Sequence, residues 1–273
     1  TLTANAAGAY SLVVTNNQGC TATSSNTTVV VNALPTATIT ASGSTTICAG
    51  ASVTLSAPAG AAFVWSNGAT TQSIAASTAG AYTVTVNSNG CTATSSATTV
   101  TVNALPVATI SASGATNLCQ GSSVTLTASP ATTYLWSTGA TTPSITVNTA
   151  GNYSVSSTTN GCTASSVPTT INVQALPSAS ISVIGATTFC QGASVTLTAS
   201  SAGSYLWSNG ATTQTIVATT PGNYTVQVSS NGCSATSSAI PVVVNALPTA
   251  SINAAGPTSF CQGGTVTLTA APA

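Results

Sequence analysis

The sequence predicts an all-β protein, a tandem array of small antiparallel β-sandwiches, and three observations carry that prediction. A unit of 71 residues repeats without a gap. Inside each unit, apolar residues alternate with Thr and Ser at a period of two. Asn-Gly pairs punctuate the alternating runs, and no window joins helix caps to helical periodicity.

The repeat is read from its markers. Ala-Leu-Pro recurs with its leucine at Leu34, Leu105, Leu176 and Leu247, a constant spacing of 71. Cys48, Cys119, Cys190 and Cys261 keep that spacing, as do Cys20, Cys91, Cys162 and Cys233, and Trp65, Trp136 and Trp207. Three full repeats, 34–104, 105–175 and 176–246, are expected between a C-terminal part-repeat, 1–33, and an N-terminal part-repeat, 247–273. Tyr10 lies one residue farther from its cysteine than Tyr82, Tyr153 and Tyr224 do, an insertion expected at a hairpin tip, where length changes are tolerated. The chain reads as part of a longer array.

Within the repeat 34–104, strands are predicted near 36–41, 52–57, 61–66, 72–76, 81–86 and 92–102. Val53 and Leu55 alternate with Thr54 and Ser56, and Tyr82, Val84 and Val86 with Thr83 and Thr85. Each alternation turns one apolar face inward and a hydroxyl face to water, and β-branched Thr suits a pleated surface. Asn67-Gly68, Asn89-Gly90, Asn160-Gly161, Asn209-Gly210 and Asn231-Gly232 mark tight turns, because both residues tolerate positive φ.

Composition excludes whole classes of function. None of the 273 residues is Lys, Arg, Asp, Glu or His, where about a quarter of a soluble domain is ordinarily charged. Phosphate contacts to nucleic acid have no cation to make them. General acid–base catalysis loses its main groups, and a Ser or Thr nucleophile has no base beside it; the chain is read as no enzyme, with no cofactor. Carboxylate sites for hard cations are absent. No apolar run approaches the roughly 20 residues of a membrane span, so no membrane insertion is expected. With no carboxylate or imidazole side chain, acid has little to titrate, and melting temperatures at pH 3 and pH 7 are expected to coincide within about 5 °C. Paired thermal melts check this, and a larger shift overturns it.

Four strings carry a resemblance: Cys-x-Gly-x-Ser-Val-Thr-Leu at Cys119–Leu126, Trp-Ser-x-Gly-Ala-Thr-Thr at Trp136–Thr142, Gly-x-Tyr-x-Val at Gly151–Val155, and Asn-Gly-Cys at Asn160–Cys162. Together they resemble the immunoglobulin-like and polycystic-kidney-disease-like repeats of secreted Bacteroidota cell-surface proteins, including gliding adhesins exported by type IX secretion. The resemblance covers every full repeat. It implies an extracellular array of immunoglobulin-like sandwiches with structural or adhesive work. The Asp-rich turn after Trp in polycystic-kidney-disease domains is here Ser-Asn-Gly or Ser-Thr-Gly.

Eight cysteines, two per repeat, are the remaining chemistry. No two stand at the close spacing of a metal site, and no cation is present to activate a thiol. Structural disulfides in an oxidising compartment follow. In an immunoglobulin-like sandwich the second and sixth strands run the same way, so Cys48 and Cys91 fall at opposite poles, roughly 20 Å apart. A disulfide needs Cα atoms within about 7 Å. Pairing between successive repeats, Cys48–Cys162 and Cys119–Cys233, is therefore preferred, with Cys20, Cys91, Cys190 and Cys261 left for repeats outside the chain. Pairing within a repeat, as Cys48–Cys91, and pairing between chains stay open as alternatives.

Trp65, Trp136 and Trp207 are assigned to the sandwich core, as an immunoglobulin-like Trp is. Tyr82, Tyr153 and Tyr224, each after Gly-x, resemble corner tyrosines that pack and hydrogen-bond at a strand start. Phe63, Tyr134 and Tyr205, two positions before each Trp, share its side by period. Asn26, Asn152 and Asn223 stand in glycosylation sequons and are read as unmodified.

The reading that results is the structural shaft of a secreted, cell-surface fibre or filament. Pro35, Pro106, Pro177 and Pro248 stiffen short linkers. Edge strands lack the charges that ordinarily keep sheets apart, so self-association is expected. The alternative is an adhesin segment whose outer faces bind glycan or protein, and a third reading is an accessory module of an enzyme.

Overall fold

The structure is a computed structural model that describes residues 1–60 and 62–270. Among the described residues it contains strands in two- and three-stranded sheets and no helix. The chain divides into two compact units. One comprises Thr1–Ser111, Ala128–Pro143 and Ser154–Pro168; the other comprises Ala112–Thr127, Ser144–Tyr153 and Thr169–Ala273.

In the first unit, the repeat that starts at Leu34 forms three sheets. Val53–Ser56 lies between Thr40–Ala41 and Ser73–Ala76, antiparallel to both. Val84–Ser88 lies between Ala62–Trp65 and Cys91–Thr94, again antiparallel. Thr98–Asn103 pairs antiparallel with Gly80–Tyr82 and parallel with Thr46–Cys48. The inward residues of all three make one core of Ile47, Val53, Leu55, Trp65, Ile74, Tyr82, Val84, Val86 and Val100. This is the immunoglobulin-like sandwich, and alternation builds it: Leu55, Val84 and Val86 are fully buried while Thr54 and Thr85 are not.

The second unit holds the same sheets two repeats on. Val195–Ala199 lies between Ile181–Ile184 and Thr215–Ala218, and Val226–Ser230 between Ser204–Trp207 and Cys233–Thr236. Ile240–Asn245 pairs with Gly222–Tyr224 and, in parallel, with Thr188–Cys190. Its core gathers Val195, Leu197, Trp207, Ile216, Tyr224, Val226, Val228 and Val242.

Several strand boundaries differ from the sequence reading, each for a physical reason. Only Thr40–Ala41 of the predicted 36–41 strand is laddered, although Ala37 and Ile39 pack on the core. Alternation reports which side chains are buried, not which backbone groups are paired. Thr46–Cys48 is a further strand, too short at three residues to carry an alternation of its own. The predicted strand 92–102 is two strands, Cys91–Thr94 and Thr98–Asn103, in different sheets. Ser95 makes that break. Its hydroxyl accepts from Val84 N at 3.1 Å, and its own N–H donates to Val84 O at 2.9 Å. A side chain that takes over a ladder bond frees the backbone to leave the sheet. Ser166 and Ser237 repeat the contact with Val155 and Val226. The predicted strand 61–66 is observed as Ala62–Trp65; Ala61 lies outside the described residues.

Turn chemistry sets the register. Asn89 and Gly90 have φ of 48° and 80°, and Ser88 faces Cys91 across them, a two-residue type I′ turn. Asn160-Gly161 and Asn231-Gly232 do the same. Asn67-Gly68 makes a different turn, closed by Gly68 N to Trp65 O at 2.8 Å with only the glycine at positive φ.

Each Trp is buried, and its indole N–H donates to a backbone carbonyl six residues on: Trp65 to Thr71, Trp136 to Thr142 and Trp207 to Thr213, all at 2.8 Å. Such a bond removes the polar cost of burying an indole. The hydroxyls of Tyr82, Tyr153 and Tyr224 donate to the carbonyls of Thr78, Thr149 and Thr220, four residues upstream. Phe63 and Tyr205 are half-buried against their cores, and Tyr134 and Tyr205 accept the N–H of Ala131 and Ala202.

One core position is discordant. Val86 and Val228 correspond in the repeat to Ser157, which is equally buried, with its hydroxyl unpaired among the described residues. A buried hydroxyl without a partner costs about 1–3 kcal/mol. Ser157→Val is therefore expected to stabilise the protein by roughly 1–2 kcal/mol, since two sister sites already accommodate valine. Urea melts of the variant measure it; a loss of stability would mean that the site needs the smaller side chain.

Candidate functional site: the stapled junction

Two disulfides form the candidate site. In the first unit, Cys48 is bonded to Cys162 with 5.6 Å between Cα atoms; in the second, Cys119 is bonded to Cys233, also at 5.6 Å. Each bond spans 114 residues of sequence and joins one repeat to the next. Cys91, the alternative partner within a repeat, is an unbonded thiol, as are Cys20, Cys190 and Cys261.

The socket half of the junction is set by the parallel strand. Thr46–Cys48 runs beside Thr98–Asn103 with Cys48 level with Asn103, and Ala49 N extends the pairing by donating to Asn103 O at 2.8 Å. Gly50, at φ 87°, then turns the chain sharply, with Ala51 N donating to Cys48 O. The sulfur is thereby held at the end of the last strand of its repeat.

The knob half is a hairpin tip. The type I′ turn Asn160-Gly161 places Cys162 directly after it, at 1% exposure. The Asn103 side chain donates from Nδ2 to Asn160 O at 3.0 Å, so a hydrogen bond from a side-chain amide accompanies the disulfide. Cys48 Sγ lies 3.9 Å from Gly161 O. In the second unit, Cys119 stands level with Gln174, Gln120 N donates to Gln174 O at 2.8 Å, and Cys119 Sγ lies 3.8 Å from Gly232 O. Asn103 and its counterpart Asn32, which donates to Asn89 O at 3.0 Å, were not singled out from the sequence. Their signal was present, since Asn32, Asn103 and Asn245 precede Ala-Leu-Pro at the repeat spacing.

Chemically the arrangement ties one repeat to the next. Of the four bonded cysteines, Cys162 and Cys233 are buried and Cys48 and Cys119 half-buried, and no three metal-ligating side chains gather among the described residues. No helix of the described residues is long and apolar enough to cross a membrane. Asn26, Asn152 and Asn223 are exposed.

No family model matches the sequence, and no curated protein does. Among solved structures, the chain is similar to the N-terminal eight Ig domains of Down Syndrome Cell Adhesion Molecule isoform 1.30.30, with 16% identity and a TM-score of 0.43 over 89% of this chain and 40% of that one. It is similar to Drosophila OTK extracellular domains 3–5, with 13% identity and a TM-score of 0.33 over 73% and 93%. Murine CEACAM1b gives 16% identity and a TM-score of 0.30 over 51% and 100%. The chain thus spans less than half the length of the first of these. The sandwich assignment rests on the strand pairing and cores above.

Proposed function

We propose that this chain is the shaft of an extracellular bacterial surface fibre, a linear run of sandwiches that spaces or displays rather than binds. Disulfides belong to an oxidising compartment, which fits a structural or adhesion-type role outside the cytoplasm. On this reading 34–104, 105–175 and 176–246 are the repeating domains, with 1–33 and 247–273 as parts of further ones. The origin is a Bacteroidota surface protein carried by type IX secretion, as the sequence resemblance implies.

One observation carries the proposal: each disulfide joins a repeat to its neighbour instead of closing a repeat on itself. A bond within a domain stabilises that domain, whereas a bond between neighbours limits bending of the run. Small-angle scattering of the oxidised and reduced protein tests it. Reduction is expected to increase bending while the β signal in circular dichroism is retained. Unchanged bending with collapse of the β signal would overturn the shaft. Saturable binding of a glycan or protein by the oxidised chain, with bending unaffected by reduction, would favour the adhesin segment.

A further inference from the structure

We infer that the junction tips Asn160-Gly161 and Asn231-Gly232, with Asn89-Gly90, are sites of self-modification: each asparagine closes on the next glycine, loses ammonia and leaves a carboxylate beside the joint between repeats. The consequence for stiffness rests on the shaft reading; the conversion itself does not.

The chain has five Asn-Gly pairs, and all five asparagines are exposed. Exposure therefore does not distinguish them, but hydrogen bonding does. At Asn67-Gly68 and Asn209-Gly210 the reacting atoms are held. Gly68 N donates to Trp65 O at 2.8 Å, and Gly210 N to Trp207 O at 2.9 Å. The side chains are held too: Asn67 Oδ1 accepts from Ala69 N at 3.1 Å, and Asn209 Oδ1 from Ala211 N at 3.2 Å.

At the three type I′ tips the same atoms are free. The ladders end at Ser88 and Cys91, at Thr159 and Cys162, and at Ser230 and Cys233, so they stop short of the two turn residues. Among the described residues, the N–H groups of Gly90, Gly161 and Gly232 have no backbone acceptor. Asn89 and Asn160 are engaged through their backbone carbonyls, by Asn32 and Asn103 at 3.0 Å, and not through their side chains.

Hydroxide removes the proton from Gly161 N, and that nitrogen attacks Cγ of Asn160. The N–Cγ bond forms, the Cγ–Nδ2 bond breaks, and ammonia leaves with a proton from water, giving a cyclic imide. Water then opens the ring at either carbonyl carbon. Cleavage of the bond to Cγ gives aspartate; cleavage of the bond to the backbone carbonyl carbon gives isoaspartate, with the chain now running through Cγ. Glycine suits the step because no Cβ stands over the attacking nitrogen. The sequence holds no Lys, His, Asp or Glu to act as general base, so hydroxide sets the rate and conversion quickens as pH rises.

Position gives the change its effect. Asn160 and Asn231 each stand two residues before a bonded cysteine, Cys162 and Cys233. Isoaspartate at 160 adds one backbone atom to a two-residue loop and turns the carbonyl that Asn103 holds into a free carboxylate. The tip no longer fits its ladder, and Cys162, at 1% exposure, is opened to an attacking thiolate. Either product also sets a negative charge at the joint of a chain with no charged side chain.

The test incubates the full chain, both staples intact, at about pH 9, where hydroxide is plentiful. Peptide mapping by mass spectrometry, with isoaspartyl methyltransferase labelling, reads each tip. Conversion at Asn89, Asn160 and Asn231 is expected to run roughly tenfold faster than at Asn67 and Asn209, whose two hydrogen bonds must first break. In urea with reductant the five rates should converge. Asn160→Gly/Asn231→Gly keeps the positive φ and should remove conversion at those two tips. Anion exchange then separates the aged chains. In the fraction with isoaspartate at 160 alone, dithiothreitol should cut Cys48–Cys162 at least about threefold faster than in fresh chain, with Cys119–Cys233 unchanged. Equal rates at all five folded tips, a faster rate at Asn67 or Asn209, or no conversion at the junction tips while the unfolded control converts would overturn the sites. Isoaspartate at 160 with Cys48–Cys162 reduced at the fresh rate would overturn the effect on the joint. Scattering of fresh protein judges the shaft separately, so a stiff chain whose junction tips do not convert sinks this inference alone.

Discussion

Pulled by its two ends, the oxidised chain is expected to extend about 500 Å less than the same chain in reductant, at ~3.5 Å per extended residue. The shortest covalent path between Cys48 and Cys233 crosses both disulfides and only the segment from Cys119 to Cys162. The rest is hidden from force until the bonds are cut. Single-molecule stretching checks the figure, and a variant assigns it. Cys119→Ser/Cys162→Ser breaks both staples and should restore the whole length. If the bonds instead closed each repeat, Cys48–Cys91 and Cys190–Cys233 would survive, and the variant would recover only about 150 Å. The effect is large because each staple closes a loop of 114 residues.

Trp65→Ala is expected to cost about 3–5 kcal/mol, the largest loss from any single core truncation here. Trp65 is 2% exposed within the cluster of Leu55, Val84 and Val86, and its removal leaves a cavity that strands on both sides hold open. It also strips Thr71 O of its donor. In a multidomain chain one melting temperature does not report one domain, so hydrogen exchange is the suitable readout. Protection of Val84–Ser88 should fall by at least about a hundredfold, while Val226–Ser230 keeps its own. Equal loss in both strands would mean that repeats unfold as one cooperative block. Trp65→Phe restores part of the packing without the N–H and separates the two contributions.

The parts of the fold legible in the sequence are those governed by neighbours along the chain. The Asn-Gly tips were readable because positive φ is a local requirement, met by Asn89 at 48° and Gly90 at 80°. The inward faces were readable because alternation records burial residue by residue, down to Leu55 and Val86 at zero exposure. Ser95, Ser166 and Ser237 were missed although they recur at the repeat spacing. A serine that crosses a strand break and one that faces water look alike until the partner N–H is in view.

The amino-acid sequence alone determined an uncharged, all-β, repeating chain with two cysteines per repeat, in which no Lys, Arg, Asp, Glu or His is present. It also determined the turns, since glycine and asparagine are required wherever φ is positive. Only the tertiary structure decided where one strand leaves its sheet for another, and which side chain accompanies the disulfide. Those outcomes depend on groups far apart in sequence meeting at hydrogen-bonding distance. Thr46–Cys48 meets Thr98–Asn103 in parallel, and Asn103 reaches the carbonyl of Asn160 at 3.0 Å. No periodicity encodes such a meeting, because it is settled by how the sheets pack and not by any one strand.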